Sequence, residues 1–313
     1  MTAPERPRIL LVSLTFKRPE DLRAILPKLV EQAESVDAEV EILIVDNDPD
    51  GGAEDSVRGF AGTTAIVVSY VHEPHPGIVA ARNRALAEAA HHDILVFIDD
   101  DERPLEGWLD HLLETWRRYS PAAVVGAVIS EYASEPDPWL AAGRFFDRRR
   151  LPTGTPITVF ATNNLLLDLR RVRAAGVRFD ERFGLTGGSD TLFSRQLAAR
   201  GGALVWCDEA VVVDMVPDDR LTRSWVLRRA YRSGNSWTRT SLALEVTALG
   251  RLRVRASVAP RGFVRVLGGS VQAALGRLTG SLSHQARGAR TRARGAGMLA
   301  GAVGSVYAEY RRD

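Results

Sequence analysis

The run Ile94-Leu95-Val96-Phe97-Ile98-Asp99-Asp100-Asp101-Glu102 constrains this chain more than any other stretch. Five apolar residues, β-branched and aromatic among them, lead straight into four acids. The apolar part has the length and composition of a buried parallel strand, although periodicity alone leaves a buried helical segment open. The acids then fall at the strand's carboxyl end, the edge at which open α/β sheets bind ligands. Adjacent carboxylates repel each other and are costly to hold together unless a cation neutralises them. Hard divalent ions such as Mg²⁺ take oxygen ligands and commonly share them with phosphates. The stretch therefore points to a metal-assisted site for a sugar nucleotide, with an exposed acidic loop as the bland alternative.

Taken in order, the chain alternates strands and helices. Arg8–Leu14, Val40–Val45 and Ala65–Val71 read as strands, each apolar and bounded by polar turns. Pro19-Glu20-Asp21 opens an amphipathic helix over Leu22–Ala33, with acids in its first turn. Asp46-Asn47-Asp48-Pro49-Asp50-Gly51-Gly52 is turn chemistry, and an alanine-rich helix runs to about Ala90. This alternation argues for an α/β fold: a mostly parallel, Rossmann-like sheet with right-handed crossovers and flanking helices. In such a sheet the polar ends Thr15–Arg18, Asp46–Asp48 and Asp99–Asp101 converge on one edge, although strand ends are polar in any case because loops are solvated. Further on, Trp108–Tyr119 reads as a helix, Ala122–Ile129 and Thr158–Leu167 as strands, and Ala203–Trp206 and Ala210–Asp214 as late edge strands. Glu131–Thr158, proline-rich with Trp139, Phe145 and Phe146, reads as a long loop over the acceptor side, whose aromatics either stack on a sugar or, as the favoured reading, anchor the loop.

The totals exclude several classes. At 313 residues with 45% hydrophobic content the chain can hold one large domain plus an appendage. The single cysteine, Cys207, cannot form an internal disulfide and reads as a core thiol, which fits a reducing, cytoplasmic compartment. Met1–Arg8 is polar and contains proline, unlike a signal peptide, and no run of 18 or more apolar residues suggests a transmembrane helix.

Thr15-Phe16-Lys17-Arg18-Pro19, Val45-Asp46-Asn47, Gly77-x-x-x-Ala81-Arg82-Asn83 and Phe97–Glu102, in that order, resemble a family 2 glycosyltransferase with the GT-A fold, over roughly residues 8 to 240. The resemblance implies roles. Thr15 and Arg18 would line the nucleotide pocket, Asp46 would accept from the base, usually uracil, and Arg82 would lie near base and diphosphate. Asp99 and Asp101 match the first and last acids of the Asp-x-Asp signature. Asp101 is then the metal ligand, Asp99 sits near the ribose or the metal, and Asp100 between them belongs to the nucleotide site or simply faces outward. Asn163, Asn164 and Gly188 would lie beside the donor sugar. Gly187-Gly188-Ser189-Asp190 resembles the Gly-Glu-Asp segment, with Asp190 the catalytic base and Ser189 replacing the usual glutamate as a helix cap. Asp214 stands where relatives carry a third metal ligand, or pairs with Arg220. Mn²⁺ or Mg²⁺, a UDP-sugar donor and a sugar or lipid-linked hydroxyl acceptor follow from the same resemblance. A sugar nucleotidyltransferase would carry a glycine-rich, lysine-containing loop where Thr15–Pro19 stands. A degenerate sugar-nucleotide-binding scaffold is the non-enzyme alternative, fed by Ser189 and Asp214.

The division expected is a glycosyltransferase domain over residues 1–240 and a basic helical extension over 241–313. Arg220 to Trp237 is arginine-rich, suited to a diphosphate or to a solvated helix face. From Val246 to Ala308 there are ten arginines and no Asp or Glu. Cationic, amphipathic helices of this kind suit an anionic membrane surface at the inner face of the cell membrane. Nucleic acid is discounted because aromatic residues are scarce there, and packing as a homodimer stays open.

Overall fold

The computed structural model describes residues 6–307. Their elements follow in chain order. β1 (Arg8–Thr15), α1 (Pro19–Glu34), β2 (Glu39–Asp46), α2 (Glu54–Ala61), β3 (Val67–His72), α3 (Ile78–Glu88) and β4 (Ile94–Asp99) form the alternating half. After it come β5 (Glu102–Pro104), α4 (Trp108–Tyr119), β6 (Ala123–Tyr132), α5 (Pro138–Gly143), β7 (Asn164–Asp168), α6 (Leu169–Ala175), α7 (Ser189–Ala199) and β8 (Leu204–Val216). Three long helices end the chain: α8 (Arg223–Ala243), α9 (Ala248–Leu278) and α10 (Leu282–Ala302).

The chain divides into two compact units. The first comprises the residues up to Ile129, Arg148–Gly184 and Phe193–Asp214. Its sheet has the order β3-β2-β1-β4-β7-β6-β8-β5. β1 runs parallel to both β2 and β4, and β2 parallel to β3. The sheet is less parallel than the alternation implied: β7 is antiparallel to β4 and to β6, and β5 to β8. Successive side chains of a strand point to opposite faces, and both faces here are covered. Leu10, Val12, Leu43, Val45, Leu95 and Phe97 pack on one side with α3 residues Val79, Ala81 and Ala85. Ile9, Leu11, Ile42, Ile44, Val96 and Ile98 pack on the other with Leu22, Ile25 and Leu26 of α1 and Trp108, Leu109 and Leu112 of α4. Burial on both faces is why these strands read as continuous apolar runs rather than alternating ones.

Several boundaries differ from the sequence reading. The turn-rich residues after Asp46 lead into α2, a helix masked by Gly51 and Gly52 before it. β7 begins only at Asn164, so Thr158–Asn163 lie outside it. The two late strands are one, β8, which continues through Cys207, buried and free. β8 is not an edge either: β5 lies outside it.

The second unit comprises Ser130–Asp147, Leu185–Leu192 and the residues from Met215 onward. Trp139, Leu140 and Phe146 are buried there with Val216, Val226 and Ala286. Phe146 stacks on Trp225 at 5.9 Å and Trp139 on Phe145 at 5.2 Å, so the aromatics of the long segment are core residues of a helical unit, and α5 forms within that segment. The boundary expected at 240/241 falls inside α8.

Candidate active site

Strand register gathers the polar ends. Thr15 lies opposite Asp46 across the β1–β2 pair, and Leu14 opposite Asp99 across β1–β4. The carboxyl ends of three parallel strands thus stand side by side, with β1 in the middle. The β1–α1 connection between Thr15 and Pro19 turns sharply, and Lys17 takes a positive φ of 55° there. That conformation is unfavourable for a residue with a Cβ, and it brings Arg18 back over the acids.

Arg18 is the hub. Its Nη1 donates to Asp100 Oδ1 at 2.9 Å and to Asp101 Oδ2 at 2.8 Å. Thr15 Oγ1 donates to the other oxygen of Asp100 at 2.8 Å. Asp100 is therefore 3% exposed and turned inward, which excludes the outward-facing position for the middle acid. Burial pushes its carboxyl up to about 6, against the pull of Arg18 and Thr15. Asp99 rises further, to about 7, through burial and then the charge of Asp101, with Arg82 opposing. Glu102 is held well above the usual carboxylate range by burial and by Asp99. Burial and the neighbouring carboxylates thus raise three of the four acids of the run.

Asp46 is 1% exposed. Its Oδ1 accepts from the Asp48 backbone at 2.9 Å, and its Oδ2 from the Ala53 backbone at 3.0 Å and Tyr70 Oη at 3.1 Å. It organises the connection from β2 to α2, and little of its acceptor capacity is left for a base. Asn47 ties the same corner together: its Nδ2 donates to the carbonyls of Glu73 and His75, and its Oδ1 accepts from Gly77. Gly77, with φ of 114°, precedes α3, where a Cβ would be strained. Arg82 on α3 lies over the Phe179 ring at 5.5 Å and acts on Asp99.

The two asparagines have separate fates. Asn163 Nδ2 donates to Glu102 Oε1 at 2.5 Å, so it lies on the acid cluster. Asn164 does not reach a donor sugar. It is 1% exposed; its Oδ1 accepts from Trp108 Nε1, and its Nδ2 donates to the carbonyls of Ala127 and Ala210. It is a strut joining α4, β6 and β8, because one amide there satisfies three buried polar groups. Asp214 lies opposite Glu102 across β5–β8, and its partner is Arg148, not Arg220. Glu102 and Arg148 had no role in the sequence reading. Glu102 was legible as the fourth acid of its run, and Glu102 Oε2 is buried with no hydrogen-bond partner among the described residues. Arg148, one of three consecutive arginines, carried no signal.

In the second unit, Gly187 and Gly188 have φ of 71° and 95° ahead of α7. A Cβ on Gly188 would also come within 3.1 Å of Ser236 Cβ. Ser189 is the first helical residue rather than the cap: the Leu192 amide bonds to the carbonyl of Gly188 at 3.0 Å. Asp190 is in the first turn, where a carboxylate also suits the helix dipole.

Among the described residues no group of three or more His, Cys, Asp or Glu is arranged to hold a metal. Asp214 is paired with Arg148, which neutralises it. A site of one or two carboxylates completed by phosphate oxygens, the usual Mg²⁺ arrangement with nucleotides, does fit the surplus of acid at the end of β4.

A sheet of this order, with acids closing its fourth strand, is the arrangement of the GT-A fold. The family model for glycosyl transferase family 2 matches residues 11–171, about half of the chain, and the protein belongs to that family. It is 33% identical over 222 residues to the succinoglycan biosynthesis protein ExoM of Rhizobium meliloti (strain 1021), covering 71% of each chain. In fold it is similar to the mannosyltransferase PcManGT of Pyrobaculum calidifontis, solved with GDP-Man and Mn²⁺. The TM-score is 0.60 at 18% identity, over 92% of this chain and 88% of that one. S. aureus TarS 1-349, solved with UDP-GlcNAc, gives a TM-score of 0.52 at 13% identity over 97% of both chains.

Proposed function

We propose that the protein is an inverting, metal-dependent glycosyltransferase. It moves a sugar from a nucleotide-diphosphate donor, a UDP-sugar, to a hydroxyl of a sugar or lipid-linked acceptor in cell-surface polysaccharide or glycolipid synthesis. The observation that carries this reading is Arg18 bridging Asp100 and Asp101 at the joined ends of β1 and β4. Asp101, with Asp99, would hold Mn²⁺ or Mg²⁺. When bound, the ion neutralises charge on the departing nucleoside diphosphate. Arg18 and Arg82 offer planar forks to the phosphate oxygens. Thr15 fixes Asp100 and so sets where the Arg18 fork points. Asp46 accepts from the base through the acceptor capacity that its three donors leave. Asn163, bonded to Glu102, stands beside the donor sugar.

Asp190 takes the proton from the acceptor hydroxyl as its oxygen attacks the anomeric carbon from the face opposite the leaving group, which inverts that centre. Its place in the Gly187-Gly188-Ser189-Asp190 segment supports the assignment. The donors bound by the solved neighbours, UDP-GlcNAc and GDP-Man with Mn²⁺, support a sugar nucleotide and a divalent ion. The naming of ExoM for succinoglycan biosynthesis supports a growing polysaccharide as acceptor. A lipid-linked acceptor would place the work at the inner face of the cell membrane.

Melting curves with UDP, GDP and dTDP, each with and without Mn²⁺, test the reading. UDP with Mn²⁺ should raise the midpoint, and Asp101→Ala should lose the Mn²⁺-dependent part. If no nucleotide shifts the midpoint under either condition, the proposal fails. The Arg148–Asp214 ion pair favours one second reading, a sugar-nucleotide-binding scaffold in which a former ligand is locked. Slow hydrolysis of the donor by the purified protein would exclude it.

A further inference from the structure

Helix α9 has two different apolar faces. Gly262, Gly269 and Gly276, seven residues apart, face α10, where Gly288 and Gly295 answer them. A Cβ on Gly269 would lie 2.5 Å from the Arg292 backbone nitrogen and 2.6 Å from the Gly288 carbonyl oxygen. The two backbones therefore meet without side chains between them. α10 uses a second glycine edge against α8: a Cβ on Gly297 would lie 1.9 Å from the Tyr231 carbonyl oxygen. This small-residue packing accounts for how α9 is held. Val258 is buried with these glycines, but most of the large apolar residues of α9 stay exposed.

Those residues form a stripe on the opposite face. Leu249, Leu252, Phe263, Leu267, Val271 and Leu278 are each more than half exposed. Ala256, Pro260 and Ala274 fill the gaps, so the stripe advances by three or four residues at every step. At 100° per residue, these nine positions share one face about 100° wide, roughly 44 Å long. Arg253 sits at the rim of the stripe, Arg261 beyond that rim, and Arg277 along the other side, all exposed. No helix among the described residues is long and apolar enough to cross a membrane.

We infer that this face of α9 is a docking surface for an anionic lipid bilayer, lying parallel to it. The stripe enters the boundary between headgroups and acyl chains, and the flanking arginines reach lipid phosphates. Charge decides the occupant. Between Val246 and Tyr307 there is no acid to answer the arginines, so a second copy laid on the stripe would bring cation against cation. An anionic bilayer supplies the missing charge together with an apolar layer. Single-stranded nucleic acid would supply the charge, but aliphatic side chains offer its bases no stacking surface. The inference goes beyond the transfer chemistry and stands or falls independently of it.

The test is co-sedimentation of the full chain with vesicles of phosphatidylglycerol mixed with phosphatidylcholine, and with phosphatidylcholine alone. The protein should pellet with the first and stay in solution with the second. Phe263→Asn, Leu267→Asn and Val271→Asn together should weaken binding by about tenfold or more. Arg253→Gln, Arg261→Gln and Arg277→Gln together should weaken it and flatten its salt dependence. Both triple variants should keep the parent's helical circular dichroism and its nucleotide-induced melting shift, so that failure of docking and failure of the transferase reading are told apart. Failure of the parent to pellet with anionic vesicles would overturn the inference, as would undiminished binding by the apolar variant. A concentration-dependent dimer that the apolar variant abolishes would assign the stripe to a second copy and overturn it too.

Discussion

Asn164 shows how a residue's neighbours decide what its chemistry is used for. An amide beside a sugar site reads as a ligand contact, yet here it joins Trp108 Nε1 to two carbonyls inside the core. Asn164→Leu keeps the volume and strands those groups, so it should cost about 3 kcal/mol in urea denaturation. A loss below about 1 kcal/mol would mean the network is not structural. Asp190 is legible the other way round. It stands in the first turn of α7 behind two glycines that the turn requires, and its assignment as base rests on motif order. Asp190→Asn should abolish transfer and leave UDP affinity unchanged; turnover near the parent's rate would reject it as the base. The acidic run was visible in the sequence as the end of a buried strand. That Asp100 turns inward onto Thr15 and Arg18 was not, because contacts spanning more than 80 residues depend on strand register.

At the scale of elements, glycine does opposite work at different places on the same helices. Gly297 on α10 lies against the α8 backbone, and Gly268 on α9 has nothing within 4 Å of its missing Cβ. Gly297→Ala should therefore destabilise the protein by about 2 kcal/mol or more, since backbones must separate to admit the methyl group. Gly268→Ala should stabilise it by about 0.5–1 kcal/mol, because alanine loses less entropy in a helix. Equal effects in chemical denaturation would contradict the packing described for α8, α9 and α10. Helices with clear apolar periodicity, such as α1 and α4, were found at nearly their observed ends. α2 and α5 were missed: glycine-rich turn residues precede the one and proline and loop chemistry surround the other, and tertiary packing overrides such local signals.

For the whole molecule, the raised acids make stability depend on pH in a definite sense. Asp99 at about 7 and Asp100 at about 6 hold protons in the folded state that an unfolded aspartate releases near 3.9. The folded state thus binds more protons across the window from about 4 to about 7, and unfolding free energy falls as pH rises through it. Asp180 and Asp208, lowered chiefly by Arg182 and Arg150, contribute stability that is lost only toward lower pH. Metal-free protein should therefore melt at lower temperature as pH goes from about 5 to about 8. Because the proposed metal would bind the ionised acids, stabilisation by Mn²⁺ should grow over the same range. A melting temperature that rises with pH in the presence of a chelator would refute the assignment of these protons.

Sequence alone determined the alternating α/β plan, the strand whose end carries the acids, and the cationic character of the last sixty residues. Each of these is local: apolar period, turn chemistry and charge are properties of contiguous stretches. Tertiary structure decided the rest. It turned the sheet antiparallel beyond β4, spent Asn164 on the core, gave Asp214 to Arg148, and set Arg18 between Asp100 and Asp101. It also divided the apolar residues of α9 between a buried glycine seam and an uncovered stripe. Those outcomes depend on which distant backbones come within hydrogen-bonding reach, and no residue carries that information by itself.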